Sequence, residues 1–393
     1  MQIYLDNNAT TAVKKEVAEA MLPYLCDVYG NASSKFYKIG RDAGQAVQEF
    51  REKIADCIGA KANEIYFTAS GCEADNWAIK GIADANSHKG KHIITTAIEH
   101  HAILGTCEFL EKHGYKVTYL PVDRYGYVSP ESVENAITED TVLISVMTVN
   151  NEIGTVQPIA EIGEIAKKHK ILFHTDAVQA VGHMKIDVNE LGVDLLSMSA
   201  HKFHGPKGIG ALYIKNGVKI SNLIHGGGQE RGKRAATENV SGMAGMAKAL
   251  ELATANLDDN MKHMTKMRDK LISGISEKIP YSILNGPDDN KRSCNNVNFS
   301  FKYVEGESIL MMLDMKGVAA SSGSACASGS LDPSHVLLAI GLPHEIAHGS
   351  LRLSVSEFTT EEEVEYLLEV LPPIIERLRM MSPLYEEVLK AQK

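Results

Sequence analysis

An acid and a lysine are the residues whose spacing first suggests chemistry. The apolar run Ile171-Leu172-Phe173-His174-Thr175 ends in Asp176, Gln179 follows three residues later, and a second strand-like run delivers Ser199-Ala200-His201-Lys202. An acid that can hold a ring nitrogen protonated, with a lysine on the next strand that can form a Schiff base, is what an enzyme needs to carry pyridoxal phosphate. A charge-assisted hydrogen bond from Asp176 to a pyridinium N–H is worth about 1.5–3 kcal/mol, roughly 1–2 pH units of preference for the protonated ring. The ring then stays an electron sink at neutral pH. Lys202, once displaced by a substrate amine, becomes a base over the substrate's Cα. Alone it would read as an ordinary surface lysine, so its surroundings decide.

Thr68-Ala69-Ser70-Gly71-Cys72-Glu73 follows a strand-like run and opens a helix, where backbone N–H groups can hold a phosphate at the positive helix end. Small residues also make plain strand-to-helix turns, and the nearby lysine favours the phosphate. Glu99-His100-His101 follows the run at 92–96. An imidazole there can stack on a cofactor ring and shuttle protons near its ordinary pKa of about 6.5; His101 reads better as a surface histidine. Asn150-Asn151-Glu152 offers an amide for a substrate carboxylate or a ring hydroxyl, or merely ties a loop. The glycine loop His225–Arg231 and Arg234-Ala235-Ala236-Thr237 allow close backbone approach to a ligand or a second subunit, with Thr237 a phosphate donor. Arg352, in the alternating run Ser350–Ser354, is either an exposed strand residue or a guanidinium fork for an α-carboxylate.

The segment Ser321-Ser322-Gly323-Ser324-Ala325-Cys326-Ala327-Ser328-Gly329-Ser330 surrounds one thiol with small residues. A structural cysteine sits among bulky apolar neighbours, whereas this setting describes an accessible nucleophile on a mobile loop. At a free-thiol pKa of about 8.5 only a few per cent is thiolate at neutral pH, so a proton acceptor such as His100 or the substrate-bound cofactor has to activate it.

These residues need a scaffold that brings strand ends together. Seven β-rich runs alternate with helical stretches between residues 64 and 214, which predicts a mainly parallel seven-stranded sheet wrapped by helices, with functional groups at the carboxyl ends of its strands. From about Ser241 one long proline-free helix is expected to reach about Lys278 and lead into a smaller α+β domain. That domain holds a strand at Asn296–Phe301, the Gly/Ser segment, and a closing helix with the capping box Thr360–Glu363 that Pro372 and Pro373 are expected to interrupt. The expected division is 14–254 for the large domain and 1–13 with 255–393 for the small one.

Composition narrows the class. The 393 residues suffice for two cores, and 44% hydrophobic with 23% charged residues is typical of a soluble globular protein. A net charge of −10 argues against nucleic acid or an anionic membrane as main partner. No apolar stretch reaches transmembrane length and the first residues lack signal-peptide character, so a cytoplasmic location is expected. The six cysteines fit neither a disulfide framework nor a metal-ligand spacing.

Together, Thr175–Gln179, Ser199–Lys202, Asn150-Asn151-Glu152-Ile153-Gly154, the 225–231 loop and Ser321–Cys326 resemble the cysteine desulfurases that feed iron–sulfur cluster assembly and nitrogenase maturation, and the resemblance runs from Leu5 to Tyr385. It implies the aspartate-aminotransferase type of fold, fold type I of the pyridoxal-phosphate enzymes, in a homodimer with active sites at the subunit interface. By the same resemblance Lys202 carries the cofactor, Asp176 holds the pyridine nitrogen, Gln179 contacts the ring hydroxyl and His100 stacks on the ring. Gly71, Cys72, Ser199, His201 and, from the partner subunit, Thr237 match phosphate-binding positions; Asn151 and Arg352 match the binders of the substrate carboxylate. Cys326 matches the nucleophile that takes sulfur from L-cysteine as a persulfide and leaves alanine, for delivery to an acceptor such as an iron–sulfur scaffold protein.

Two positions depart from the pattern. Cys72 stands where Thr or Ser is usual, and a thiol is the weaker donor. Ala236 stands where glycine is usual, and a glycine-only backbone angle there would be strained. The rival readings are a selenocysteine lyase or aminotransferase of the same fold, against which Cys326 in its setting argues, and a non-catalytic scaffold for cluster-assembly proteins.

Overall fold

The structure, a computed structural model, describes residues 2–289, 291–322 and 333–391. Its strands are β1 (Ile3–Tyr4), β2 (Ile65–Thr68), β3 (His92–Thr96), β4 (Lys116–Leu120), β5 (Thr141–Ser145), β6 (Leu172–Asp176), β7 (Leu195–Ser199), β8 (Gly210–Ile214), β9 (Ser282–Leu284), β10 (Asn296–Phe301), β11 (Val318–Ala319) and β12 (Ser350–Ser354). The seven runs expected from the sequence are β2 to β8. They form one sheet in the order β2-β8-β7-β6-β5-β3-β4, parallel except where β8 pairs with β2 and β7.

Alternation along these strands feeds two apolar layers. Phe67, Ile94, Ile144, Phe173 and Leu196 face the helices Lys38–Cys57, Ile159–His169 and Val240–Ala255. Tyr66, Ile93, Leu143, Leu195 and Leu212 face the helices Gly71–Ala85 and His101–Glu111. β3, β5, β7 and β8 are buried along their whole length, as strands covered on both faces are.

A further core gathers Ile3 and Leu5 with residues between 264 and 375, around the antiparallel sheet β12-β10-β9 and the parallel pair β1-β11. A small cluster bridges the two regions, with Ile98, Met147 and Ile153 against Val336, Leu337, Ile340 and Ala347.

Two expectations fail. The long helix breaks at Asn256, whose backbone leaves helical angles (φ −117°, ψ 21°), so Val240–Ala255 and Leu257–Lys278 are separate helices. Asn competes with the helix through its own side chain, and here its amide donates to Leu252 O at 3.3 Å. Conversely, the helix Glu361–Met380 runs unbroken through Pro372 and Pro373. Leu367, Leu368 and Leu371 before the prolines and Ile374 and Ile375 after them are buried in the same core, and that packing overrides the missing N–H groups. The capping box forms as expected: Thr360 N–H donates to Glu363 Oε2 at 2.8 Å and Glu363 N–H to Thr360 Oγ1 at 3.2 Å. No helix among the described residues is long and apolar enough to cross a membrane.

Candidate active site

A cavity of about 360 Å3 opens at the carboxyl ends of β3, β5, β6 and β7. It lies where the winding order of the sheet reverses, beside the β3/β5 pair, the usual ligand crevice of an open α/β sheet. A larger surface hollow of about 590 Å3 lies at the opposite strand ends, beside Thr141 and Leu172, and brings no comparable set of groups together.

Each expected residue of the cofactor side falls on a strand end or the turn after it. Asp176 is the last residue of β6, and Ser199 the last of β7; His201 and Lys202 occupy the 3-10 turn that follows. Gly71 and Cys72 open the 15-residue helix Gly71–Ala85, whose N-cap Ser70 accepts from Glu73 N–H at 3.1 Å. His100 caps the next helix, its Nδ1 accepting from Ala102 N–H at 3.1 Å. Gly71, Cys72, His100, Asn151, Asp176, Gln179, Ser199, His201, Lys202 and Arg352 all line the one cavity.

The residues of the chain start that complete the cavity were missed from sequence. Lys202 Nζ donates to Asn8 O at 2.5 Å and Ala9 O at 2.9 Å, and Gln179 Nε2 donates to Asn8 O at 3.0 Å. Asn8 Nδ2 donates to Asn151 O at 3.1 Å, and Asn295 Nδ2 to Asn8 Oδ1 at 3.0 Å. The signal was available as three polar residues, Asp6-Asn7-Asn8, directly after the buried Ile3 and Leu5. Asp75, Glu152 and His335 also line the cavity without having been singled out.

Arg352 is buried in β12 instead of exposed. Its Nη2 donates to Asp6 Oδ1 at 2.8 Å and its Nη1 to Asn151 O at 3.2 Å, while Nε has no hydrogen-bond partner. A fork held on one arm by a carboxylate and on the other by a carbonyl is already oriented for a planar anion. Glu152, also buried, accepts from the Ser334 hydroxyl.

Burial sets the charges. It pushes Asp176 up to about 6, against the Val178 N–H bond (2.9 Å) and the charge of Lys202, so the acid is mostly ionised at neutral pH. Burial pulls His100 down to about 4, helped by Lys202 and His101. His100 is therefore a neutral ring at neutral pH, and not the group titrating near 6.5 that the sequence suggested. Burial, with the charges of Lys202 and Lys207, likewise takes His201 to about 4.

The model of the aminotransferase class-V family matches residues 3–367. Over 390 residues the chain is 60% identical to the cysteine desulfurase IscS of Clostridium botulinum (strain Hall), covering 99% of this chain and 98% of that one. The chain belongs to the class-V aminotransferases, in their cysteine desulfurase branch. Among solved structures, a NifS-like protein superposes with TM-score 0.90 at 41% identity over 96% of this chain and all of its own. A structure described as SspA in complex with cysteine superposes with TM-score 0.82 at 37% identity over 92% of this chain and all of its own.

Pyridoxal phosphate is the cofactor of this family, and the residues of this class-V enzyme fit it. A Cβ on Gly71 would lie 2.7 Å from Val178 Cγ2 and 3.3 Å from Ser199 Cβ, so only glycine leaves room at this helix N-terminus. The lysine, the buried acid and the helix end lie in one cavity and could supply the amine, the ring-nitrogen partner and the anion site.

Two expected residues stand apart. Thr237 is exposed and lines a separate hollow with Ala69, Arg234 and Ala236, across the Ala69-Ser70 turn from the main cavity. Next to it Ala236 has φ +112°, the left-handed region foreseen for a glycine. Cys326 lies outside the described residues.

Proposed function

We propose that this chain is a pyridoxal-phosphate-dependent cysteine desulfurase: L-cysteine and the Cys326 thiol become L-alanine and a Cys326 persulfide, whose terminal sulfur passes to an acceptor such as an iron–sulfur scaffold protein. The observation that carries the reading is Lys202, Asp176 and the preset fork of Arg352 in one cavity. The bound cofactor supplies an electron sink that stabilises negative charge at the substrate's Cα. Around it Asp176 holds the proton on the ring nitrogen, His100 covers the ring as a neutral imidazole, and Gln179 bonds the ring hydroxyl. Gly71, Cys72, Ser199 and His201, with Thr237 of a second copy, bind the phosphate. Arg352 and Asn151 bind and orient the substrate carboxylate, Lys202 Nζ moves the Cα proton, and Cys326 Sγ attacks the substrate's sulfur.

The homodimer and the division into 14–254 and 1–13 with 255–393 belong to this reading, as does a cytoplasmic location. Exposed Leu22, Leu25, Tyr29, Phe36 and Tyr37, with Phe36 99% exposed, support a second copy as the cover for that surface. The position of Thr237 in its own hollow agrees with service to a neighbouring subunit. The separate apolar cores support the domain division.

The test is the visible spectrum of the purified protein, followed by sulfide and alanine measured after addition of L-cysteine with a reductant. A cofactor band that shifts on addition, with equimolar sulfide and alanine, is the expected result. Cys326→Ala should keep the band and lose sulfur release; full desulfuration by that variant would remove Cys326 from its role. A coloured protein that makes neither product would move the substrate elsewhere.

A further inference from the structure

The strand β10 reads Asn296-Val297-Asn298-Phe299-Ser300-Phe301, polar and apolar residues in strict alternation, yet it is buried from end to end. Val297, Phe299 and Phe301 enter the apolar core of the smaller region together with Leu351 and Leu353 of β12. Asn296, Asn298 and Ser300 therefore occupy the other face, where antiparallel pairing sets Asn298 opposite Arg352 and Asn296 opposite Ser354. Polar side chains on a dry face are destabilising unless each is matched inside the protein.

Their match is the turn Asn150–Gly154, which brings Asn151 to the cavity. From its own side the turn is held by Asn150, whose Oδ1 accepts from Glu152 N–H at 2.9 Å and Ile153 N–H at 3.0 Å. From the opposite side β10 takes the carbonyls. Asn298 Nδ2 donates to Glu152 O at 2.9 Å, and Asn296 Nδ2 donates to Glu152 O at 3.1 Å and to Asn151 O at 3.4 Å. Asn285 Nδ2 donates to Asn298 Oδ1 at 2.8 Å, so the NH2 end of the Asn298 amide is the one that meets the turn. Gly154 lets the turn lie flat on the strand: its φ is +74°, and a Cβ there would lie 2.9 Å from Asn296 Cβ.

We propose that Asn298 and Asn296 are positioning residues for the substrate's α-carboxylate, acting through the Asn151-Glu152 turn to fix the spacing between Asn151 and Arg352. The proposal rests on the desulfurase reading, in which those two residues take the carboxylate. Arg352 stands opposite Asn298 in the sheet, and its Nη1 donates to the same Asn151 carbonyl that Asn296 holds, at 3.2 Å. One sheet face thus sets both halves of the grip. Without these amides the turn keeps Asn150 but loses its anchor to the strand beside Arg352, and a planar anion meets two donors that no longer match its geometry.

The test is steady-state desulfuration of L-cysteine by the cofactor-loaded full chain, with L-alanine as a competing ligand. Asn298→Ala should raise the KM for L-cysteine and the inhibition constant of L-alanine about tenfold, with kcat and cofactor affinity within about twofold of wild type. In an Arg352→Lys chain, which already lacks the fork, the same substitution should add less than about threefold, because both changes act on one carboxylate. If Asn298→Ala does not fold, Asn296→Ala leaves the Asn298 bond to Glu152 O in place and should show the same split at about threefold. A merely structural role would lower kcat and cofactor affinity along with the grip on L-cysteine. That pattern, an unmoved KM in a folded variant, or a full tenfold loss on top of Arg352→Lys overturns the proposal. A wild-type chain that binds the cofactor and makes no sulfide from L-cysteine overturns the desulfurase reading instead.

Discussion

The two sides of the cavity are built by different means. On the cofactor side each group sits at the end of one strand or the start of one helix, and a rigid sheet spaces them. On the substrate side Arg352 is positioned by Asp6, 346 residues away, and by the carbonyl of Asn151, while Asn7 and Asn8 tie the chain start to Ser354. Under the proposed function, local geometry thus fixes the groups that hold the cofactor, and long-range pairing fixes those that hold the substrate. Damage on the first side should remove chemistry, and damage on the second should remove grip.

Lys202→Ala gives the largest expected effect: desulfuration should fall by at least about a thousandfold and the cofactor band should disappear, since among the described residues no other lysine lines the cavity. Retained colour and turnover would break the assignment of the two sides at its root. Arg352→Lys sharpens the contrast. A point charge replaces the fork, so KM for L-cysteine should rise about tenfold or more, corresponding to about 1.4 kcal/mol, with the cofactor band unchanged. A loss of colour in that variant would show that the sides are not separable.

The acid limb of cofactor binding, read by absorbance, is the third probe. Asp176 has its pKa raised to about 6, so its negative charge is present above that value and lost as pH falls through it. Cofactor affinity should be about halved at pH 6 relative to its plateau near pH 8 and should fall further below. His100, already neutral down to about pH 4, should contribute nothing to that limb, and His100→Gln should leave its midpoint in place. The smallest effect is expected at the edge of the hollow that Thr237 lines. Ala236→Gly should relieve a backbone held at φ +112° and stabilise the folded chain by about 1 kcal/mol, read as a small rise in melting temperature.

The same difference explains what could be read from the sequence. Seven apolar runs give seven strands, and an acid or lysine after such a run must lie at one edge of the sheet, so Asp176, Gln179 and Lys202 were legible. Asn8 was not, because its partners Asn151, Gln179 and Asn295 share no local period with it. Asp75 was hidden among helix residues, where only the sheet beneath gives its position meaning. Pro372 and Pro373 misled because a propensity of a few kcal/mol was weighed without the core on both sides of the pair.

The pairing of residues 5–8 with residue 354 also sets an order of events in the cell. At ordinary elongation speeds of about 5–20 residues per second, residues 5–8 are made roughly 20–70 s before residue 354 exists. Until then Asp6, Asn7 and Asn8 are without their contacts to Arg352 and Ser354, whereas the sheet that carries Asp176 and Lys202 is complete once Ile214 has been added. Of the two sides of the cavity, the one that holds Arg352 is therefore completed last, in about the final tenth of translation.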